Sequence, residues 1–146
     1  MPQSQKPPRL RLHLHVDGSS LGNPGPAASA AVLSDDEGTV LAEAVQELGS
    51  TTSNVAEYFG LIIGLEEALK LRADQVVVVC DSQLLVRQCR GEYKVRDLRL
   101  RRLMQWVRRL EAGFQQITYR HVPRESNQRA DKLARGLLRK RKQKEQ

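Results

Sequence analysis

Four acidic side chains of this 146-residue chain stand apart from its other carboxylates by where they fall. Asp17 closes "RLRLHLHVD", in which Leu10, Leu12, Leu14 and Val16 alternate with Arg9, Arg11, His13 and His15, the period of a strand with one buried face. Asp81 follows directly on the β-branched run "QVVVVC". Glu57 sits in the first turn of a helical stretch that is apolar almost all round, and Asp131 starts the last helical stretch, beside Ala130. If the two strands lie side by side, their C-terminal ends carry Asp17 and Asp81 to the edge where open α/β sheets bind ligands. Counting three, four and seven residues on from Glu57 gives Gly60, Leu61 and Gly64, a stripe whose small residues let the helix lie close against a sheet.

Taken singly, each carboxylate admits a structural reading. Glu57 and Asp131 could complement the positive ends of their helices, worth roughly 0.3–1 kcal/mol each, and Asp17 and Asp81 could end their strands in turns. Taken together they fit that reading less well. Like charges gathered in a partly dry site repel one another and lose hydration, so such a cluster persists where something cationic compensates it. Carboxylate oxygens without Cys or dedicated His ligands suit Mg²⁺ or Mn²⁺ rather than zinc. In a basic protein this points to metal-assisted chemistry on phosphates, with two ions roughly 3.5–4 Å apart holding the attacking and leaving oxygens.

The elements that must position these groups follow from the patterning. Strands are expected near 9–17, 28–34 and 39–47, separated by "GSSLGNPGPAA" and "SDDEG", so the first third reads as an antiparallel meander. Val55, Phe59, Ile62, Leu65 and Leu69 then recur at helical spacing, with Thr52, Ser53 or Asn54 as candidate N-caps. "QVVVVC" reads as a central strand covered on both faces and parallel to the first. A short helix over about 82–89 ends near Gly91. In the next helix Leu100, Leu103, Val107 and Leu110 share one face, opposite Arg101, Arg102, Arg108 and Arg109. "QITYRHV" is a last strand, and Ala130, Leu133, Ala134, Leu137 and Leu138 mark a last helix. The order βββαβααβα predicts an α/β fold, a mixed sheet with helices on its faces.

Composition narrows the partners. Lys and Arg number 24 against 17 Asp and Glu, giving +7, which favours an anionic partner such as nucleic acid. Cys80 and Cys89 are too few for a disulfide framework and lack metal-ligand spacing, so a reducing, cytoplasmic location is expected. No apolar run approaches a membrane span, and "MPQSQKPPRL" lacks an apolar signal core. Residues 1–8 are expected to form a flexible N-terminus, 9–138 one domain, and 139–146 ("RKRKQKEQ") a frayed basic tail.

The segments "VDGSSLGNPGPAA", "TTSNVAEYFGLIIGLEEAL", "VCDSQLLVRQ" and "HVPRESNQRADKLA", in this order, resemble ribonuclease HI over roughly residues 10–138. The resemblance implies an RNase H-like fold with a five-stranded sheet, its first three strands antiparallel. It also implies endonucleolytic hydrolysis of the RNA strand of RNA–DNA hybrids, leaving 3′-hydroxyl and 5′-phosphate ends. Residue by residue it makes Asp17, Glu57, Asp81 and Asp131 the carboxylates that hold two Mg²⁺ or Mn²⁺ ions. His121 falls where the family carries a mobile histidine that assists proton transfer or product departure; without the resemblance it reads as a strand-end side chain facing solvent. His13 and His15 read as strand surface.

The resemblance further implies that Gly18, Ser20, Gly22 and Asn23, with Ser53, Asn54 and Gln83, approach the 2′-hydroxyls exposed in the minor groove, and that Thr52 contacts a DNA phosphate. Turn chemistry and helix capping are a second use for Asn23, Ser53 and Asn54. The chain departs from several family members after Asp81, where "RGEYKVRDLRLRRLMQW" passes into the next helix without a basic protrusion. The arginine face of helix 97–112 and the "RKRK" tail are the alternative sources of phosphate contacts, although arginines opposite an apolar stripe also serve as a solvated face. Ser53 stands where many relatives carry Asn. A monomer is expected. The competing readings are a related nuclease that also acts on duplex RNA, and a catalytically weak hybrid-binding module; the presence of all four carboxylates ranks the latter low.

Overall fold

The computed structural model describes residues 9–144. Among these the chain forms β1 (Arg11–Ser20), β2 (Gly25–Ser34), β3 (Val40–Thr51), α1 (Ser53–Lys70), β4 (Gln75–Cys80), α2 (Gln83–Cys89), α3 (Leu98–Glu111), β5 (Gln116–His121) and α4 (Gln128–Lys144), with a 3₁₀ turn at Arg124–Asn127. The sheet order is β3-β2-β1-β4-β5. β1, β2 and β3 pair antiparallel, and β4 pairs parallel with both β1 and β5, which is the expected mixed sheet.

Alternation along β1 divides the protein into two layers. Leu12, Leu14 and Val16 enter a core with Leu61 and Leu65 of α1, Val76 and Val78 of β4, and Leu103 and Val107 of α3. α1 packs on β1 and β2 and also against α3, so nearly every side of it meets protein, which explains its all-round apolar sequence. α4 packs on β1, β2 and β3, where Ala130, Ala134 and Leu138 are buried at successive turns.

The structure departs from the sequence expectations in three places. β1 continues to Ser20, because its ladder with β2 runs from His13↔Ser34 to Ser20↔Ala27 while its ladder with β4 stops at Val16↔Cys80. Asp17 therefore lies inside one ladder and just beyond the other, rather than at a strand end. The histidines of β1 are not plain strand surface: His13 Nε2 lies 2.8 Å from Asp36 Oδ1, and His15 is half-buried, with its pKa lowered by burial and by His13. The basic run from residue 139 continues α4 as far as Lys144 instead of fraying. Residues 1–8, expected to be a flexible N-terminus, and 145–146 of the tail lie outside the described residues. No helix among the described residues is long and apolar enough to cross a membrane.

Candidate active site

β1 and β4 part beyond Val16 and Cys80, and the next residue along the chain in each case is an aspartate. Asp17 alternates away from the core residue Val16 and is 6% exposed. Asp81 immediately precedes Ser82, the N-cap of α2, which accepts the Leu85 N–H at 3.2 Å and stands near enough to Glu57 to favour its ionised form.

Glu57 reaches this edge because α1 lies unusually close to β1. A Cβ at Gly60 would stand 2.8 Å from the Asp17 carbonyl oxygen, and one at Gly18 would run into the backbone of Ala56 and Glu57. Ser29, fully buried on β2, donates to the Ala56 carbonyl at 2.5 Å and ties the first turn of the helix to the sheet. Of the three candidate caps, Thr52 takes the N-cap role by accepting the Val55 N–H at 3.2 Å. The Asn23 side-chain oxygen accepts the Ser53 N–H at 3.1 Å, so the β1–β2 turn is pinned to the same helix start.

Asp131 arrives on the first turn of α4, close enough to Asp17 for a side-chain hydrogen bond. Its Oδ1 lies 3.0 Å from Arg135 Nε one turn later. Upstream, Asn127 is 1% exposed and donates to the Val16 carbonyl at 2.8 Å. β5 ends beside β4, with the Val122 N–H donating to the Cys80 carbonyl at 3.0 Å, and leaves His121 exposed near Asp81.

The electrostatics show the cost of this convergence. Burial, then the charge of Asp81, the hydrogen bond with Asp131 and the charges of Asp131 and Glu57 push the Asp17 carboxyl up to about 8. Burial pushes Glu57 up to about 7, although Ser82 and Arg124 favour its ionised form. Asp81 is raised as well, chiefly by burial, while Arg124, 3.9 Å away, and His121 oppose the shift. The cluster is short of positive charge where it is driest, the situation a bound cation relieves.

The donor set indicates which cation fits. Ligand atoms of Glu57, Cys80 and Asp81 lie within 4.8 Å of one another. The Cys80 thiol is 1% exposed, its sulfur already accepts the Ser82 N–H at 3.3 Å, and burial pushes its pKa well up, which favours the neutral thiol in the metal-free chain. What remains of that group is the carboxylate oxygen of Glu57 and Asp81, with Asp17 and Asp131 in electrostatic contact with Asp81 beside it, oxygen donors of the hard kind that suits Mg²⁺ or Mn²⁺.

The residues expected to read a substrate scatter more widely. Thr52, Ser53 and Asn54 start α1, and exposed Gln83 starts α2, all along the carboxylate edge. Gly22, at φ 97°, shapes an exposed turn. Gly18 is fixed by its contact with α1, and Ser20 lies further along β1 beside Arg135 and Arg139. Sequence reasoning missed Ser29, Ser82, Arg124, Asn127 and Arg135. Ser82 carried a signal, a capping residue between a strand aspartate and an apolar helix; the others are set by contacts across the fold.

A five-stranded mixed sheet with an acidic edge where its parallel strands separate is the architecture of RNase H-like proteins, and comparison with known proteins agrees. Residues 15–136 match a family model described as reverse transcriptase-like. Ribonuclease HI of Halobacterium salinarum is 42% identical over 128 residues, covering 88% of this chain and 64% of the relative. A bifunctional protein of Mycobacterium tuberculosis is 45% identical over 126 residues, covering 86% of this chain and 35% of the relative, so the chain spans about a third of that protein's length. The solved N-terminal RNase H domain of the mycobacterial protein, at 41% identity, superposes with a TM-score of 0.90 over 94% of this chain and 99% of that one. LC11 RNase H1, solved in complex with an RNA/DNA hybrid, is 37% identical with a TM-score of 0.81, covering 86% of this chain and 94% of that one. The chain belongs to the ribonuclease HI family.

Proposed function

We propose that this protein is an endoribonuclease that hydrolyses the RNA strand of RNA–DNA hybrids, leaving 3′-hydroxyl and 5′-phosphate ends. The observation that carries the reading is the convergence of Asp17, Glu57, Asp81 and Asp131, from β1, α1, the end of β4 and α4, at one desolvated edge of a chain whose net charge is +7. A relative's structure with bound hybrid supports the substrate class.

In this reading the four carboxylates hold two Mg²⁺ or Mn²⁺ ions. When bound, such ions acidify an attacking water and offset charge on the phosphate and the departing 3′ oxygen. Burial of Asp17 and Glu57 strengthens their hold on cations by keeping bulk water away. His121, exposed at the end of β5, holds or passes a proton near the departing group. Thr52, Ser53, Asn54, Gln83 and the β1–β2 turn with Gly18, Ser20, Gly22 and Asn23 border the hybrid, where hydroxyls, amides and exposed backbone meet the 2′-hydroxyls and phosphates. Residues 9–138 act as the catalytic domain. The working state is a monomer in the reducing cytoplasm, a reading supported by the free, buried Cys80 and Cys89.

The test is a panel of labelled hybrid, single-stranded RNA, duplex RNA and duplex DNA with Mg²⁺ or Mn²⁺. Cleavage of the hybrid's RNA strand, lost in chelator and in Asp17→Asn, is expected. Cutting that persists at the parental rate in either condition sinks the metal-carboxylate mechanism, and comparable cutting of duplex RNA broadens the substrate class.

A further inference from the structure

We propose that the basic side of α4 is a seat for the phosphodiester backbone of the RNA strand as it leaves the carboxylates, with Arg135 joining that seat to the site. The inference rests on the hybrid-nuclease reading and adds where the strand runs.

Two depressions meet along α4. The first, about 380 Å³, is lined by Arg124, Glu125, Gln128, Asp131, Lys132 and Arg135. The second, about 420 Å³, is lined by Ser19, Ser20, Leu21, Arg135, Leu138 and Arg139. Arg135 borders both. The first contains Asp131 and Glu125 among its cations, whereas the second offers two guanidinium groups, two serine hydroxyls and no carboxylate, a lining that suits an anion.

Spacing sets the length of the seat. Asp131, Arg135 and Arg139 recur every fourth residue on one helix face, so the row spans about 12 Å at ~1.5 Å per residue. On one strand of a duplex a phosphate recurs every ~3.4 Å of helix axis, so a row of this length faces more than one phosphate. Arg135 is half exposed and spends its Nε on Asp131. A guanidinium carries further N–H donors in the same plane, so Arg135 can hold the carboxylate and a phosphate together.

The competing basic face, on α3, is partly committed to the fold. Arg101 Nε donates to the Val95 carbonyl at 2.8 Å, and Arg108 Nη1 donates to both carboxylate oxygens of Glu111 at 2.9 Å. α4 instead carries its cations directly from a candidate metal ligand outward.

The experiment measures binding of a labelled hybrid to the Asp17→Asn protein in chelator, where nothing is cut, across a salt series. Adding Arg135→Ala and Arg139→Ala should weaken low-salt affinity about tenfold and flatten the slope of log affinity on log salt by about two. A control removing two exposed cations from the opposite end of the sheet, Arg9→Ala with Lys70→Ala, should move the slope by less than half as much. Methylphosphonates walked along the RNA strand should weaken binding of the Asp17→Asn protein at the seat and have no further effect there in the α4 variant. Arg135→Gln with Arg139→Gln replaces the alanine pair if that pair unfolds. A parental slope in a folded α4 variant, or losses confined to methylphosphonates on the DNA strand, overturns the seat while leaving the nuclease reading intact. No hybrid binding or cutting by the parent chain overturns both.

Discussion

The side chain of Asn127 donates to the backbone carbonyl of Val16 at 2.8 Å, joining the approach to α4 to β1 one residue before Asp17. The bond sits where the β1–β4 ladder ends, and so ties Asp131's helix to the strand that carries its partner. Asn127→Ala is expected to cost roughly 1–3 kcal/mol, because the Val16 carbonyl loses its buried donor. Turnover should fall more than KM rises, since the carboxylates shift relative to one another. Thermal melting and steady-state kinetics on the hybrid check this; a parental Tm would reduce the bond to an incidental contact.

Gly18→Ala and Gly60→Ala should both wedge α1 away from β1, for their new methyl groups meet backbone rather than pliable side chains. A destabilisation of about 1–3 kcal/mol is expected for each. A shift of Glu57 by about 1 Å should also lower cleavage on the order of 100-fold. Activity retained by a Gly18→Ala protein with lowered Tm would show that Glu57 tolerates displacement.

Stability should depend on pH and metal together. Asp17, ordinarily 3.8, rises to about 8, and Glu57, ordinarily 4.5, to about 7. An acid with a raised folded pKa binds more protons when folded, so its contribution is fully present below about pH 4 and lost as pH rises through 7 to 8. Metal-free protein should melt higher at pH 5 than at pH 8, and Asp17→Asn should recover roughly 2 kcal/mol, several degrees in Tm, at the higher pH. Mg²⁺ or Mn²⁺ should raise the parental Tm at pH 8 and do so less in the variant. Equal melting of parent and Asp17→Asn at pH 8 without metal would mean that the cluster is not strained.

His121→Ala should slow cleavage roughly 10- to 100-fold without abolishing it, and leave Tm near the parental value because the side chain is exposed. An unchanged rate would return His121 to a strand-end role.

The extent to which the site was legible varied with the kind of signal. β1 and β4 were readable because alternation and a β-branched run report burial directly, and the two aspartates that follow Val16 and Cys80 came with them. The glycine stripe after Glu57 foretold close helix packing, and Gly60 meets the Asp17 carbonyl as that requires. The end of β1 was misread because "GSSLG" carries turn residues, yet pairing with β2 holds it extended through Ser20. Asn23 and Thr52 carried polar side chains whose partners, Ser53 N–H and Val55 N–H, only the folded chain identifies.

By itself the sequence determined the order of the elements, the parallel pair at the centre and the residue types of a hard-cation site, because periodicity and charge are local properties. The tertiary structure alone decided that Asp17 is buried enough to titrate near 8, that Ser29 and Asn127 hold the framework of the site, and that Arg135 stands between Asp131 and a second basic depression. Desolvation and contacts across a hundred residues arise only when the chain closes on itself, and no pattern along it records them.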